Sequence, residues 1–329
     1  MRVKEFNDYR APKRHPWIPI TLLLVIVVGV VWYVRRPDRE VEPSAVANER
    51  SDVEETTPDS GGGARQRPDG AAGSDETNRD AEREPMPEDI SELMEEAAAL
   101  QEADRLQPAR ELYQRALEMA TDDDTRQKVE DALGAVHIEL LFSQRSMPEK
   151  EEYLIQSGDQ LRLLARRFGT TTELIQRGNN IRDPNRIRIG DRLLIFSGDF
   201  EIVANKTRRD MVVYLNGEFF KRYQIGTGEH GKTPVGTFVI RDKIKEPSWW
   251  PSDGREVPFG DPDNVLGTRW LAIQATGDTP RVRGYGIHGT WEPESIGHEE
   301  SDGCIRMHNE EVEELYVYIP SGTPVRIEE

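Results

Sequence analysis

The 329-residue chain has one cysteine, Cys304. A disulfide within the chain is thereby excluded, and so is a cysteine-rich zinc module. Positive charge is scarce as well. Lys and Arg number 43 against 61 Asp and Glu, a formal net charge of −18. Coating DNA or RNA needs a basic surface, so no nucleic-acid partner is expected. Apolar residues make up only 36% of the chain, beside 27 Gly and 21 Pro. Part of the chain is therefore expected not to fold. Long hydrophobic runs are absent, with one exception.

That exception is Trp17 to Val34, 18 residues without a charge. Its length approaches the ~20 residues that cross a bilayer. Trp17 at one end and Trp32-Tyr33 at the other suit the two membrane interfaces. Arg2, Lys4, Arg10, Lys13 and Arg14 precede it, so residues 1–16 are read as a cytoplasmic tail and 17–34 as a transmembrane helix. A cleaved signal peptide fits less well, because Ala45-Val46-Ala47 lies too far beyond the apolar run. Residues 35–89 are then read as a disordered acidic linker. From Arg36 to Asp89 there is no Leu, Ile, Phe, Tyr or Trp, and 16 acids face 7 Arg. Such a tract cannot bury enough apolar surface to offset its ordering entropy.

Helical periodicity begins at Ile90 and covers residues 90–145. Three apolar stripes recur at three- and four-residue steps: Ile90 to Leu100, Ala109 to Ala120 and Val129 to Leu140. Asp122-Asp123-Asp124-Thr125 supplies a helix start between the last two. Two or three antiparallel helices follow. Ala103 to Ala120 resembles one tetratricopeptide helix pair, and a single pair is read as a spacer rather than a peptide-binding groove. A protein partner for this segment is left open.

Residues 151–197 change pattern. A short strand at Tyr153, a turn at Gly158-Asp159, helices through Leu161, Ala165 and Phe168 and through Leu174, then Asn180, Ile187, Gly190 and a strand Leu193 to Ile195 give a βααβ order. This resembles a LysM domain. The resemblance implies binding to N-acetylglucosamine-containing glycan, here bacterial peptidoglycan, with Gly158, Asp159, Asn180 and Ile181 as the glycan-binding residues. The module holds 8 Arg against 6 acids, so it is slightly basic in an acidic chain.

The remainder, 199–328, reads as mainly β. Met211 to Leu215, then Asn216-Gly217, then Glu218 to Ile225 is a hairpin signal, since Asn-Gly suits a type I′ turn. Further strands are expected at Gly236–Ile240, Trp270–Ile273, Tyr285–His288 and Thr323–Ile327, with one helix at Glu310–Val317. A compact sheet sandwich with a long insert around Lys243–Asn264 is expected. In this region His288-Gly289-Thr290 is followed by Ser301-Asp302-Gly303-Cys304-Ile305-Arg306-Met307. A Cys and a His from different segments are what thiol acyl transfer needs: the imidazole takes the thiol proton and the sulfur attacks. Gly303 permits a tight turn whose amides point at a developing oxyanion. A lone Cys is otherwise most often a small buried hydrophobe. His230, His298 and His308, together with His288 and Cys304, show no metal-motif spacing, so neither metal nor cofactor is expected.

The longer pattern resembles the YkuD family of L,D-transpeptidases. His288, Gly289, Ser301, Gly303, Cys304 and Arg306 carry the resemblance. Gly226-Thr227-Gly228, Lys232 to Phe238, Asn264 to Gly267 and Gly322 to Val325 extend it over about 130 residues. One departure stands out: Asp302 occupies the position of the family's usual His, and a carboxylate there would raise the thiol pKa. The resemblance implies Cys304 as nucleophile on the third-residue carbonyl of a tetrapeptide stem, expelling D-alanine. It implies His288 as base and then acid, and the Gly289 carbonyl as its orienter. Gly303 and Cys304 amides would form the oxyanion site. Ser301 belongs to the same loop. Arg306 either positions that loop or a substrate carboxylate, or makes a structural ion pair. An amine of a second stem would resolve the thioester to a 3→3 crosslink. With water as acceptor the enzyme would be an L,D-carboxypeptidase. A non-catalytic LysM wall-anchoring protein is the other alternative. The expected setting is a single-pass protein of the bacterial cytoplasmic membrane with its catalytic domain outside.

Overall fold

A computed structural model describes residues 89–329. The expected membrane helix at 17–34 and its cytoplasmic tail lie outside the described residues, as does the linker except for Asp89. Among the described residues, no helix is long and apolar enough to cross a membrane.

Three helices open the described chain: α1 (Ile90–Glu102), α2 (Leu106–Met119) and α3 (Asp123–Phe142). Asp89 is the N-cap of α1, its carboxylate accepting from the Ser91 N–H. Asp122 caps α3 by accepting from the Thr125 N–H at 2.9 Å. The helix start read from the Asp-rich run therefore has its physical basis in a side-chain oxygen satisfying an orphan amide. Leu93, Ala116 and Val129 bury their side chains where the three helices meet.

The helices do more than space. α3 lies along β5 (Glu218–Gln224). The His137 imidazole Nδ1 is 2.8 Å from the Phe220 carbonyl, and its ring stacks on Phe220 at 5.1 Å. Arg222 Nε donates to buried Glu130 at 2.6 Å. Gly134 brings the helix close, since a Cβ there would sit 3.3 Å from Lys221 Cγ. The helical segment therefore also packs on the sheet: α3 shields an edge strand that would otherwise present unpaired backbone groups.

The next module is β1 (Lys150–Leu154), α4 (Leu161–Arg167), α5 (Thr172–Gly178) and β2 (Arg192–Phe196), with β1 and β2 antiparallel. Its own small core comprises Ile155, Leu161, Leu164, Ala165, Ile175, Leu193 and Ile195. Leu174 and Phe196 instead join the large core. Thr171 caps α5 and its hydroxyl also donates to the Val317 carbonyl. One side chain thus ends one element and docks it on another.

The remaining strands are β3 (Phe200–Asn205), β4 (Asp210–Leu215), β5, β6 (Thr227–Gly228), β7 (Gly236–Lys245), β8 (Arg269–Ala275), β9 (Gly286–His288), β10 (Glu299–Ser301), β11 (Ile305–Arg306) and β12 (Pro324–Glu328). Helix α6 (Asn309–Tyr318) falls between β11 and β12. Asn216 and Gly217 turn β4 into β5 with φ of 52° and 86°, the pair of positive angles that a type I′ turn requires. Where a compact sheet sandwich was expected, eight strands form one mixed sheet in the order β11-β9-β8-β7-β12-β3-β4-β5, and β6 pairs with β10 apart from it. The reason is β12. It pairs parallel with β3 and antiparallel with β7, joining two groups of strands that sequence order keeps apart. Strand β3 was not expected. It is buried along most of its length, so it lacks the alternation that marks a half-exposed strand. Val312, Leu315 and Tyr318 seat α6 on the sheet.

Candidate active site

Strands β9 and β11 run parallel, with Ile305 opposite Ile287 and Arg306 opposite His288. Side chains alternate along a strand, so Ile287 and Ile305 share the core face. His288 and Arg306 share the other face. Cys304, two residues before Arg306, falls on that same face. Sixteen residues of sequence separation thus become a step between adjacent strands.

His288 is only 3% exposed. Its Nδ1 lies 2.6 Å from the Gly289 carbonyl, which can only accept. Nδ1 therefore carries the proton and Nε2 the lone pair. The ring also stacks on Trp270 of β8 at 5.6 Å, the residue paired with it across the sheet. Gly286 makes room for this indole; a Cβ there would stand 2.7 Å from it. Burial pushes the His288 pKa down to about 4, with Arg306 adding to the fall and the Gly289 carbonyl opposing it.

Asn309, the first residue of α6, fixes the Gly289 loop. Its amide nitrogen donates to the Thr290 carbonyl at 2.8 Å, and its oxygen accepts from the Thr268 N–H at 3.1 Å. Gly267 and Gly289 approach so closely that a Cβ on Gly267 would meet the Gly289 carbonyl carbon at 2.4 Å.

The Ser301–Cys304 loop is a tight turn. Ser301 Oγ accepts from the Gly303 N–H at 3.0 Å and donates to the Cys304 carbonyl at 2.7 Å. Gly303 has φ +121°, and a Cβ would lie 2.5 Å from the Tyr285 ring. Gly228 packs against it from the other side, where a Cβ would meet Gly303 Cα at 2.6 Å. The Gly228 N–H in turn donates to Thr233 Oγ1 at 2.7 Å. The Gly-Thr-Gly and Lys-Thr-Pro motifs are thus the bed on which the turn lies. The expected use of the Gly303 amide toward an oxyanion is corrected here, because Ser301 occupies it. Ser301 itself is buried beneath the loop and braces it from below.

Burial pushes the half-buried Cys304 thiol up to about 11. Arg306 opposes that shift, and Asp302 adds to it least of the named causes. The Asp302 side chain is 98% exposed and pairs with Lys232 at 3.1 Å, which also holds Glu229 at 2.7 Å. The carboxylate in place of the usual His is therefore solvated, and it shares the Lys232 ammonium with Glu229. The thiol donates to the Gly284 carbonyl at 3.6 Å. Of the two readings of Arg306, the ion pair is present: its Nη1 donates to Glu292 at 3.0 Å. Its buried Nε has no partner.

In the βααβ module, Asp159 accepts from the Gln156 N–H and the Tyr153 hydroxyl, closing the turn at Gly158. Asn180 and Ile181 line a shallow cavity of about 620 Å³ with Gln176, Arg177 and Arg182. Gly158 and Asp159 do not line it. Among the described residues no group of three His, Cys, Asp or Glu is placed to hold a metal ion.

Trp270, Gly286 and Asn309 have roles that pattern reading missed. Trp270 reads as an ordinary strand aromatic, and Asn309 as an ordinary helix start. Only the pairing of β8 with β9 and the approach of α6 give them those roles.

A chain with this strand arrangement and a Cys and a His on one sheet face has the equipment of an acyl-transfer enzyme. Residues 199–327 match the YkuD family model, described as an L,D-transpeptidase catalytic domain, and residues 153–196 match that of the LysM domain. The chain is 40% identical over 131 residues to the putative L,D-transpeptidase YqjB of Bacillus subtilis, spanning 40% of this chain and 72% of that one. It is 30% identical over 182 residues to the putative L,D-transpeptidase YkuD of Bacillus licheniformis, spanning 53% of this chain and 97% of that one. A solved catalytic domain of an L,D-transpeptidase from E. faecium aligns at 26% identity and a TM-score of 0.31, covering 39% of this chain and 96% of that one. The chain belongs to the YkuD family of L,D-transpeptidases and carries a LysM domain ahead of its catalytic domain.

Proposed function

We propose that the enzyme crosslinks peptidoglycan stem peptides through a thioester on Cys304. The observation that supports this reading is the parallel pairing of β9 with β11, in which Arg306, two residues after Cys304, stands opposite His288. The thiol is held protonated and the imidazole neutral. The nucleophile therefore forms as it attacks, rather than resting as an ion pair.

His288 Nε2 accepts the Sγ proton as sulfur adds to the third-residue carbonyl of a tetrapeptide stem. The Cys304 N–H donates to the resulting oxyanion. The imidazolium then gives its proton to the leaving amine, D-alanine departs, and a thioester remains. An amine of a second stem loses a proton to Nε2, attacks the thioester and releases the thiol. Gly289 keeps Nε2 aimed throughout. Arg306 positions the loop through Glu292.

The LysM domain concentrates glycan strands around this site. Residues 17–34 anchor the chain in the cytoplasmic membrane, with the acidic linker 35–89 reaching toward the wall. In this reading the helical segment braces the catalytic sheet, and a protein partner on its outer face is not required. The test is incubation of the purified protein with tetrapeptide muropeptides, read by mass spectrometry. Dimers lacking one D-alanine are expected. Tripeptide monomers alone would make the enzyme a carboxypeptidase instead.

A further inference from the structure

The face that carries Cys304 and His288 continues across the sheet into a separate cavity of about 470 Å³. Trp270 and Ala272 form its floor, paired with His288 and Gly286 of β9. The Val282–Tyr285 segment forms a wall. Gly284 belongs to that wall, and its carbonyl accepts from the Cys304 thiol. The Gly284 backbone thus separates a group seated in the cavity from the sulfur.

The charge of the cavity is the opposite of the chain's. Arg241 and Arg283 line it, and no acidic residue does. The chain as a whole carries −18. Among the described residues Arg283 makes no ion pair and no side-chain hydrogen bond. Arg241 pairs only with its exposed neighbour Asp242, at 2.5 Å. A guanidinium fork left open in a recess floored by an indole fits a planar anion, and low-dielectric walls concentrate its field.

We infer that this cavity binds the anionic part of the acyl donor: the free carboxylate of the second residue of the stem peptide, gripped by Arg241 and Arg283. The inference rests on the reading of Cys304 as nucleophile. It makes the enzyme selective for stems whose carboxylate is free over stems in which it is a primary amide.

The experiment compares two tetrapeptide donors that differ only in whether the second-residue carboxylate is free or amidated. Thioester formation is followed by intact mass on the whole protein. For the wild type, kcat/KM should favour the free acid by about tenfold, the worth of one charge-assisted hydrogen bond, and the preference should shrink as salt rises. Arg283→Gln and Arg241→Gln should each raise KM for the free acid, leave kcat nearly intact and cut the preference several-fold. Arg283→Lys should recover part of it. Equal acylation of both donors by the wild type, or equal losses on both in the variants, would overturn the inference and leave Cys304 chemistry standing. No thioester on either donor would overturn the proposed function itself, and the inference with it.

Discussion

Replacing Ser301 with Ala removes a side chain that stitches the Ser301–Cys304 turn. The hydroxyl makes two hydrogen bonds, at 3.0 Å from the Gly303 N–H and 2.7 Å to the Cys304 carbonyl. Both ends lie under the loop, and Ser301 is 3% exposed. Leaving a buried backbone group unpaired costs about 1–3 kcal/mol, so two together should cost about 2–6 kcal/mol. In a domain of this size that lowers Tm by roughly 5–20 °C. The larger effect should be on chemistry. A displacement of the sulfur by about 1 Å from Nε2 is enough to lose about 10²-fold in rate. The assay is Tm alongside single-turnover acylation of Cys304, with Ser301→Thr as the variant that keeps the hydroxyl. Threonine should recover most of the rate. Wild-type Tm and wild-type acylation in Ser301→Ala would refute the argument, since the turn would then hold itself without the hydroxyl.

Other expectations follow from the same geometry. Alkylation of Cys304 by a neutral reagent should be slow at pH 7 and should keep rising past pH 9, because burial lifts the thiol to about 11; a plateau below pH 8 would contradict this. His137 and His288 both have pKa values pushed down to about 4 from 6.5. Unfolding lets them take protons below about pH 6.5, so stability should fall between pH 6.5 and 4, by at most about 3 kcal/mol per histidine. His137→Gln should flatten part of that slope, and an unchanged slope would show that His137 is not its source. Asn309→Ala leaves the Thr290 carbonyl and the Thr268 N–H without their side-chain partner, so it should lower Tm and, by freeing the Gly289 loop, lower kcat about 10²-fold in the native fraction; wild-type kcat in that fraction would refute it. Glu130→Ala leaves the Arg222 guanidinium with Asp210 alone and should cost about 1–3 kcal/mol. Chemical denaturation checks this, and a difference under 0.5 kcal/mol in ~urea midpoints converted to free energy would contradict it.

The candidate site residues are more legible in the sequence than the frame that aligns them. His288-Gly289 and Ser301 to Arg306 stand out because each residue type has a job the backbone alone cannot do. The Asn216-Gly217 hairpin and the Asp122 cap were legible for a similar reason: both are local, set by φ angles or by one side-chain oxygen. The single continuous sheet was not legible. It depends on β12, the last strand, inserting between β3 and β7, a pairing between distant parts of the chain with no local signal. The bond between Gly303 and Ser301 was hidden too, since an amide's partner depends on how the turn closes. The helical segment looked separable because its stripes resemble any amphipathic helix. What they face, β5 and its Arg222, is set by tertiary packing alone.

The central claim is that Cys304 forms a thioester with a stem peptide by expelling its terminal residue. Intact-mass spectrometry after acid quench, with a tetrapeptide donor and no amine acceptor, tests it most directly. The account predicts an adduct of the donor minus D-alanine, mapped to Cys304 and absent in Cys304→Ala. Product formed by the Cys304→Ala variant, or an adduct mapped to any other residue, would contradict it.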